Sequence, residues 1–305
     1  MNEFSKYETA LASLRCYARM HNYEFRIAVS AHFLQCFTRD FMFARHCIVA
    51  EHLYIADYTL FLDADMAVVS PKRKIEEWID PRFDLTLYER FINFEIAAGS
   101  YIAKNTKWTF DFLKKFAKYG DELEEKVVGS DNAALHMFLA DELYPEMRDE
   151  FEPCRKAQQK VKWGIDLYVY EVCVRMTIGN QLYMKNVRML RKGTGWVRDV
   201  WLADSRWSPD RDFILHGLQE ARVENFTGQF VERAKLPWMR KAFYYKLFNK
   251  IPDIHKCYDP DYDFDLDERF IKSKAEVDEI LREIKADVDE SKWNFAGMLP
   301  NFIDF

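Results

Sequence analysis

Tyr58-Thr-Leu-Phe-Leu-Asp63-Ala-Asp65-Met-Ala-Val-Val69 is the stretch on which the fold turns. Its first five residues are β-prone and apolar enough for a strand buried on both faces, as the central strands of parallel sheets are. The strand ends at Asp63, and a second carboxylate follows at Asp65. In open α/β sheets, ligands bind just beyond the carboxyl ends of the strands, where the chain leaves the core. Two carboxylates held that close repel one another unless a proton or a cation bridges them, and their hard oxygens suit Mg2+ or Mn2+. An acidic turn without function has the same spelling, because Asp-x-Asp is a common triplet.

Working outward, apolar residues recur at helical spacing from Ser5 to His21, with Ser5 as N-cap and Glu8 three positions on. Tyr23 to Val29 reads as a strand and Asp40 to Ala56 as a second helix. Beyond Pro71 come a short amphipathic helix around Ile75 to Ile79, strands at Phe83 to Tyr88 and Ile96 to Ala103, and helices at Lys107 to Tyr119 and Ser130 to Ala140. Farther on, strands are expected at Leu167 to Met176, Gly193 to Trp201 and Phe213 to His216, then helices at Trp238 to Phe248 and Lys274 to Ile284. Strands alternating with helices make the fold class α/β.

The 305 residues are 49% hydrophobic, ample for a core, and the formal charge of −6 argues against bulk binding of nucleic acid. The six cysteines show no Cys-x-x-Cys pair and no structural-zinc spacing, so buried free thiols are the default reading. Their even number also permits disulfides in a secretory lumen. Asn225-Phe-Thr227 is a glycosylation sequon, a triplet frequent by chance. No apolar run is long enough to span a bilayer, and the first residues lack the apolar core of a signal peptide. The acidic stretch from Asp259 to Asp267 fits no calcium-loop register and reads as a solvated loop.

Three further motifs can carry chemistry. In Phe213-Ile-Leu-His216-Gly-Leu-Gln219 a histidine closes an apparent strand, where a neutral ring nitrogen can be a third metal ligand and Gly217 lets the backbone approach a phosphate. In Gly129-Ser-Asp131-Asn132, Ser130 or Asp131 can cap a helix, or Asp131 and Asn132 can lie beside a transferred group. Glu95-Ile-Ala-Ala-Gly99-Ser-Tyr101 is an ordinary strand with a bulge at glycine, or one whose small residues leave room for a ligand.

The ordered set Phe-Leu-Asp63-Ala-Asp65, then Ala98-Gly-Ser-Tyr-Ile-Ala-Lys-Asn105, then Gly129-Ser-Asp-Asn-Ala-Ala-Leu135, then His216-Gly resembles the Golgi galactosyl- and mannosyltransferase family. It is closest to a related family of transferase-like proteins of unassigned function, and the likeness runs from about Tyr7 to Gln219. The resemblance implies the GT-A fold, an α/β/α sandwich with a mainly parallel mixed sheet. It places a single domain at 1–250, with a donor half at about 1–140 and an acceptor and metal half at about 141–250. Residues 251–305 form a C-terminal acidic loop and helix.

The implied activity is hexosyl transfer from a nucleotide-sugar donor to a glycan or glycoconjugate acceptor, in the Golgi or secretory-pathway lumen. Carried onto this sequence, Asp63, Asp65 and His216 hold Mn2+ (or Mg2+) on the donor's diphosphate. Ala64, Gly99, Gly217 and Gln219 join them in binding the donor, while Asp131 and Asn132 are the catalytic candidates near the transferred sugar. Two features depart from the pattern: Ala98 stands where relatives have asparagine, and the chain begins at the helix after the family's first strand. Two alternatives stay open. One is a non-catalytic, transferase-like binding protein that has lost nucleotide binding. The other is a phosphatase with Asp63 as nucleophile and Asp65 as acid/base, although Ala67 stands where that motif carries Thr or Val.

Overall fold

The computed structural model describes residues 3–123, 128–162, 164–220, 245–259 and 261–304. Among the described residues the helices are α1 (Glu8–Met20), α2 (Phe41–His52), α3 (Lys107–Glu122), α4 (Ser130–Leu143), α5 (Glu152–Lys160), α6 (Gly164–Thr177) and α7 (Lys274–Asp304). The strands are β1 (Tyr58–Leu62), β2 (Met66–Val68), β3 (Leu85–Tyr88), β4 (Ser100–Lys104), β5 (Tyr183–Met184), β6 (Val187–Leu190), β7 (Val197–Arg198) and β8 (Ile214–His216). The fold is mixed α/β. The chain divides into two compact units, each drawn from three stretches: Met1–Arg26, Leu62–Ile79 and Gly195–Val288 form the first, and Ile27–Phe61, Asp80–Thr194 and Asp289–Phe305 the second.

The first unit holds a three-stranded sheet in the order β2-β8-β7. Helix α1 lies on it, and the Ser13 hydroxyl, fully buried, accepts the Val68 backbone N–H at 3.1 Å. Phe213, which leads into β8, stacks on Trp78 at a centroid distance of 5.1 Å and meets the edge of Tyr17 at 5.2 Å. These rings fix the entry to the strand whose far end carries His216. Cys16 of α1 is joined by a disulfide to Cys257.

The second unit holds a five-stranded sheet in the order β1-β4-β3-β6-β5. Helix α4 is buried nearly all round, and its Phe138 meets Phe112 and Phe116, the latter packed in turn on Phe43. Asp40 ties two helix starts together: one carboxylate oxygen accepts Met42 N–H at the head of α2, and the other accepts the Ser130 hydroxyl at the head of α4, at 2.6 Å. Disulfides Cys36–Cys47 and Cys154–Cys173 staple the helices, so all six cysteines of the chain are paired rather than free.

Several expectations need correction. The sheets are mixed rather than mainly parallel: β3 with β6 and β7 with β8 are parallel, but β3–β4, β5–β6 and β2–β8 are antiparallel. The short irregular connection between β3 and β4 suits their antiparallel pairing, since parallel neighbours need a longer crossover. β1 sits at the edge of its sheet with all five residues only partly buried, not at its centre. Tyr23 to Val29 forms no strand. Leu167 to Met176 is helical, within α6; its residues Leu167 to Arg175 are all buried, and a helix hydrophobic on every side shows no amphipathic period. Tyr7 rather than Ser5 occupies the N-cap of α1, and Gly129 rather than Ser130 or Asp131 that of α4. Helix α7 continues to Asp304. Of the expected helix from Trp238 to Phe248, residues 238–244 lie outside the described residues, as does the Asn225 sequon, and Tyr245 to Phe248 is not helical.

Candidate metal centre

Strand order and register bring the first unit's polar residues to one edge of its sheet. β2 and β8 are antiparallel with Met66 opposite His216, so the residues before β2 and the last residue of β8 share that edge. β7 runs parallel to β8 with Arg198 opposite Leu215, which brings the next residue, Asp199, level with His216. Asp63, Asp65, His216 and Asp199 are thereby gathered from three strands without any long-range side-chain search.

Below the edge, the buried Arg198 guanidinium donates to both carboxylate oxygens of Asp212, each at 2.8 Å, locking β7 against the segment that leads into β8. Above it, the Asp65 carbonyl accepts N–H donations from Gly217 at 3.0 Å and Leu218 at 2.8 Å. Gly217 has φ +103°, a backbone region that side-chain-bearing residues rarely adopt, so glycine is what allows this turn. Gln219 then reaches back, its amide nitrogen donating to Asp65 Oδ2 at 3.0 Å.

His216 Nε2 stands 3.2 Å from Asp65 Oδ1 and Nδ1 stands 2.8 Å from Asp199 Oδ1. One ligand atom from each of Asp63, Asp65 and His216 lies within 4.8 Å of the others. Ligands about 2.1 Å from a cation are about 3 Å apart when adjacent and about 4.2 Å when opposite, so this spread fits a shared Mg2+- or Mn2+-sized ion after small rotations. Two carboxylates and one imidazole also suit Mn2+ in donor type. The side chains of His216 and Asp65 are 22% and 13% exposed, so the pair is not sealed from solvent. Burial alone would push the imidazole's pKa down, but the hydrogen bonds to Asp199 and Asp65 outweigh it and raise the pKa to about 10. Without a metal, therefore, an imidazolium supplies the positive charge between the carboxylates. Cys36, Cys47 and Glu51 also cluster, but the two cysteines are spent in their disulfide.

The other sequence-selected residues divide as follows. Ala64 is exposed at the turn between the two aspartates. Gly99, Asp131 and Asn132 belong to the second unit. Gly99 is buried just before β4, and Asn132 Oδ1 accepts the Ala98 N–H at 2.9 Å. Asp131 is fully buried in the first turn of α4, where its Oδ2 takes hydrogen bonds from Arg45 Nε at 2.8 Å and His46 Nε2 at 2.9 Å. Asp199 escaped the sequence reading because it fell inside an expected strand from Gly193 to Trp201. The signal that picked out Asp63, a carboxylate just past a strand end, applies to it equally.

The protein family described as "Protein of unknown function, DUF273" matches residues 14–233, a span that includes every candidate residue above. The chain belongs to the DUF273 family. No curated protein matches this DUF273 chain. A solved structure described as "crystal structure of a glycosyltransferase involved in the glycosylation of the major capsid of PBCV-1" is similar at 12% identity and a TM-score of 0.40, covering 70% of this chain and 88% of that one.

Proposed function

We propose that this DUF273 protein is a metal-dependent glycosyltransferase that moves a hexose from a nucleotide-diphosphate sugar to a glycan or glycoconjugate acceptor. The observation that carries the reading is the meeting of Asp63 and Asp65 with His216, more than 150 positions later in the chain, at one sheet edge. The family resemblance implies that meeting, and an incidental acidic turn has no reason to produce it.

In this reading Asp63, Asp65 and His216 would hold Mn2+ or Mg2+, which would supply positive charge to the donor's diphosphate. A cation there offsets the negative charge that grows on the departing nucleoside diphosphate as the bond to the sugar breaks. Gln219 and the backbone of Gly217 and Leu218 hold Asp65 in place, so little reorganisation accompanies ligand binding. Those contacts weigh against the phosphatase alternative, which needs Asp65 free to give and take a proton while Asp63 attacks. Asp131, clasped by Arg45 and His46, is read as an anchor of α4 rather than as the group beside the anomeric carbon. The three disulfides fit an oxidising compartment such as the secretory lumen.

The test is release of nucleoside diphosphate from a panel of nucleotide-sugars in the presence of Mn2+. Turnover of at least one donor is expected, with loss of about a hundredfold or more in Asp65→Ala and His216→Ala and abolition by chelation. Saturable glycan binding with no turnover of any donor would leave the binding-protein alternative standing instead.

A further inference from the structure

We infer that Asp199 is a positioning residue for the metal centre, setting the ring orientation and proton placement of His216 so that Nε2 faces the cation. The inference rests on the metal-dependent reading above and extends it to a residue that the sequence motifs do not contain.

An imidazole binds a metal through one nitrogen only, and the partner of the other nitrogen decides which one is free. Here the two nitrogens have different surroundings. Nδ1 is 2.8 Å from Asp199 Oδ1, a carboxylate only 6% exposed, whereas Nε2 points to Asp65, which is shared with Asp63 and reachable from solvent. Asp199 cannot easily swing away. Its backbone position is fixed by the parallel register of β7 on β8, and its neighbour Arg198 is locked by two hydrogen bonds to Asp212. A carboxylate held in that way accepts Nδ1–H, keeps that proton on Nδ1, and leaves the Nε2 lone pair for the ion. It also makes the imidazole more electron-rich, which strengthens the bond to a cation. Asp199 itself is not needed as a ligand, since its near oxygen is engaged on the far side of the ring.

The experiment measures Mn2+ binding to the full chain by electron paramagnetic resonance of the free ion, alongside thermal unfolding without metal. Wild type, Asp199→Ala, Asp199→Asn and Asp65→Ala are compared. Expected is a weakening of intrinsic Mn2+ affinity, corrected in each variant for the proton that the ion displaces from His216, by about 10- to 100-fold in Asp199→Ala. Asp199→Asn, which keeps an oxygen acceptor for Nδ1–H, recovers a substantial part of that loss. A purely structural role predicts the opposite coupling, with affinity falling only where the metal-free melting temperature falls. Equal affinity in wild type and Asp199→Ala, with Asp65→Ala inactive for binding, overturns the role of Asp199 and leaves the metal reading intact. Absence of Mn2+ binding in the wild type overturns both.

Discussion

Replacing Asp131 with alanine separates an anchor from a catalyst. The Asp131 carboxylate is fully buried and takes hydrogen bonds from Arg45 Nε at 2.8 Å, Arg45 Nη2 at 2.5 Å and His46 Nε2 at 2.9 Å. His46 is itself fully buried, and the Arg45 side chain is 15% exposed. Removing the carboxylate leaves a guanidinium and an imidazole facing a gap, and breaking a buried pair in this way costs about 3–5 kcal/mol. A domain has about 5–15 kcal/mol in total, so the variant is expected to lose a large share of it. In urea this corresponds to a fall in midpoint of about 1–2.5 M at a slope of about 2–3 kcal/mol per M. Burial raises the Asp131 pKa, but His46 and Arg45 outweigh it and hold the group below its ordinary 3.8. A depressed carboxylate contributes stability that is present above the unfolded pKa and lost as pH falls through the folded one. The gap between wild type and Asp131→Ala should therefore be full near pH 6 and close below about pH 3.8. Circular dichroism across urea and pH series measures it. An unchanged midpoint together with collapsed transferase turnover would refute the anchoring argument and return Asp131 to the chemistry.

Three more outcomes concern the first unit. Because the His216 pKa is raised to about 10, a metal at Nε2 must displace a proton, at a cost near pH 7 of about 4 kcal/mol, or about a thousandfold in affinity. Mn2+ affinity should rise about tenfold per pH unit from about 7 toward 10, with about one proton released per ion in calorimetry across buffers of different ionisation enthalpy; a flat profile counts against His216 as ligand. Without metal the sign is reversed: a raised histidine pKa contributes stability below the unfolded value of 6.5 that disappears as pH climbs to about 10. Asp212→Ala strands the buried Arg198 and should cost about 3–5 kcal/mol by chemical denaturation, whereas Arg198→Met combined with Asp212→Leu should regain most of it.

The elements legible in the sequence were those whose local pattern agreed with their surroundings. α2 begins at Asp40, whose carboxylate caps it, and α3 shows one apolar face through Phe112, Leu113 and Phe116. β1 was placed correctly but its burial was not, because composition cannot distinguish a central strand from an edge strand. α6 reads as a strand because Leu167-Tyr-Val-Tyr-Glu-Val-Cys-Val174 is dominated by β-prone Val and Tyr, and burial on all sides overrides that preference. Asp63, Asp65 and His216 could be read because each stands at the end of an apolar run. Asp199 meets the same criterion just past β7, but an expected strand running on through Val200-Trp201 conceals that end. Cysteine pairing was also hidden, since Cys16 and Cys257 are 241 positions apart and spacing says nothing about such a bond.

That long-range disulfide also orders events in time. Cys36–Cys47 and Cys154–Cys173 span 11 and 19 positions and can close as soon as their helices emerge, whereas Cys16 must wait while four other thiols appear before its proper partner. A chain made from its amino end thus carries an unmated sulfur through most of its synthesis, at a rate of about 5–20 residues per second. Productive maturation then depends on the short crosslinks sealing early enough to take the wrong partners out of circulation.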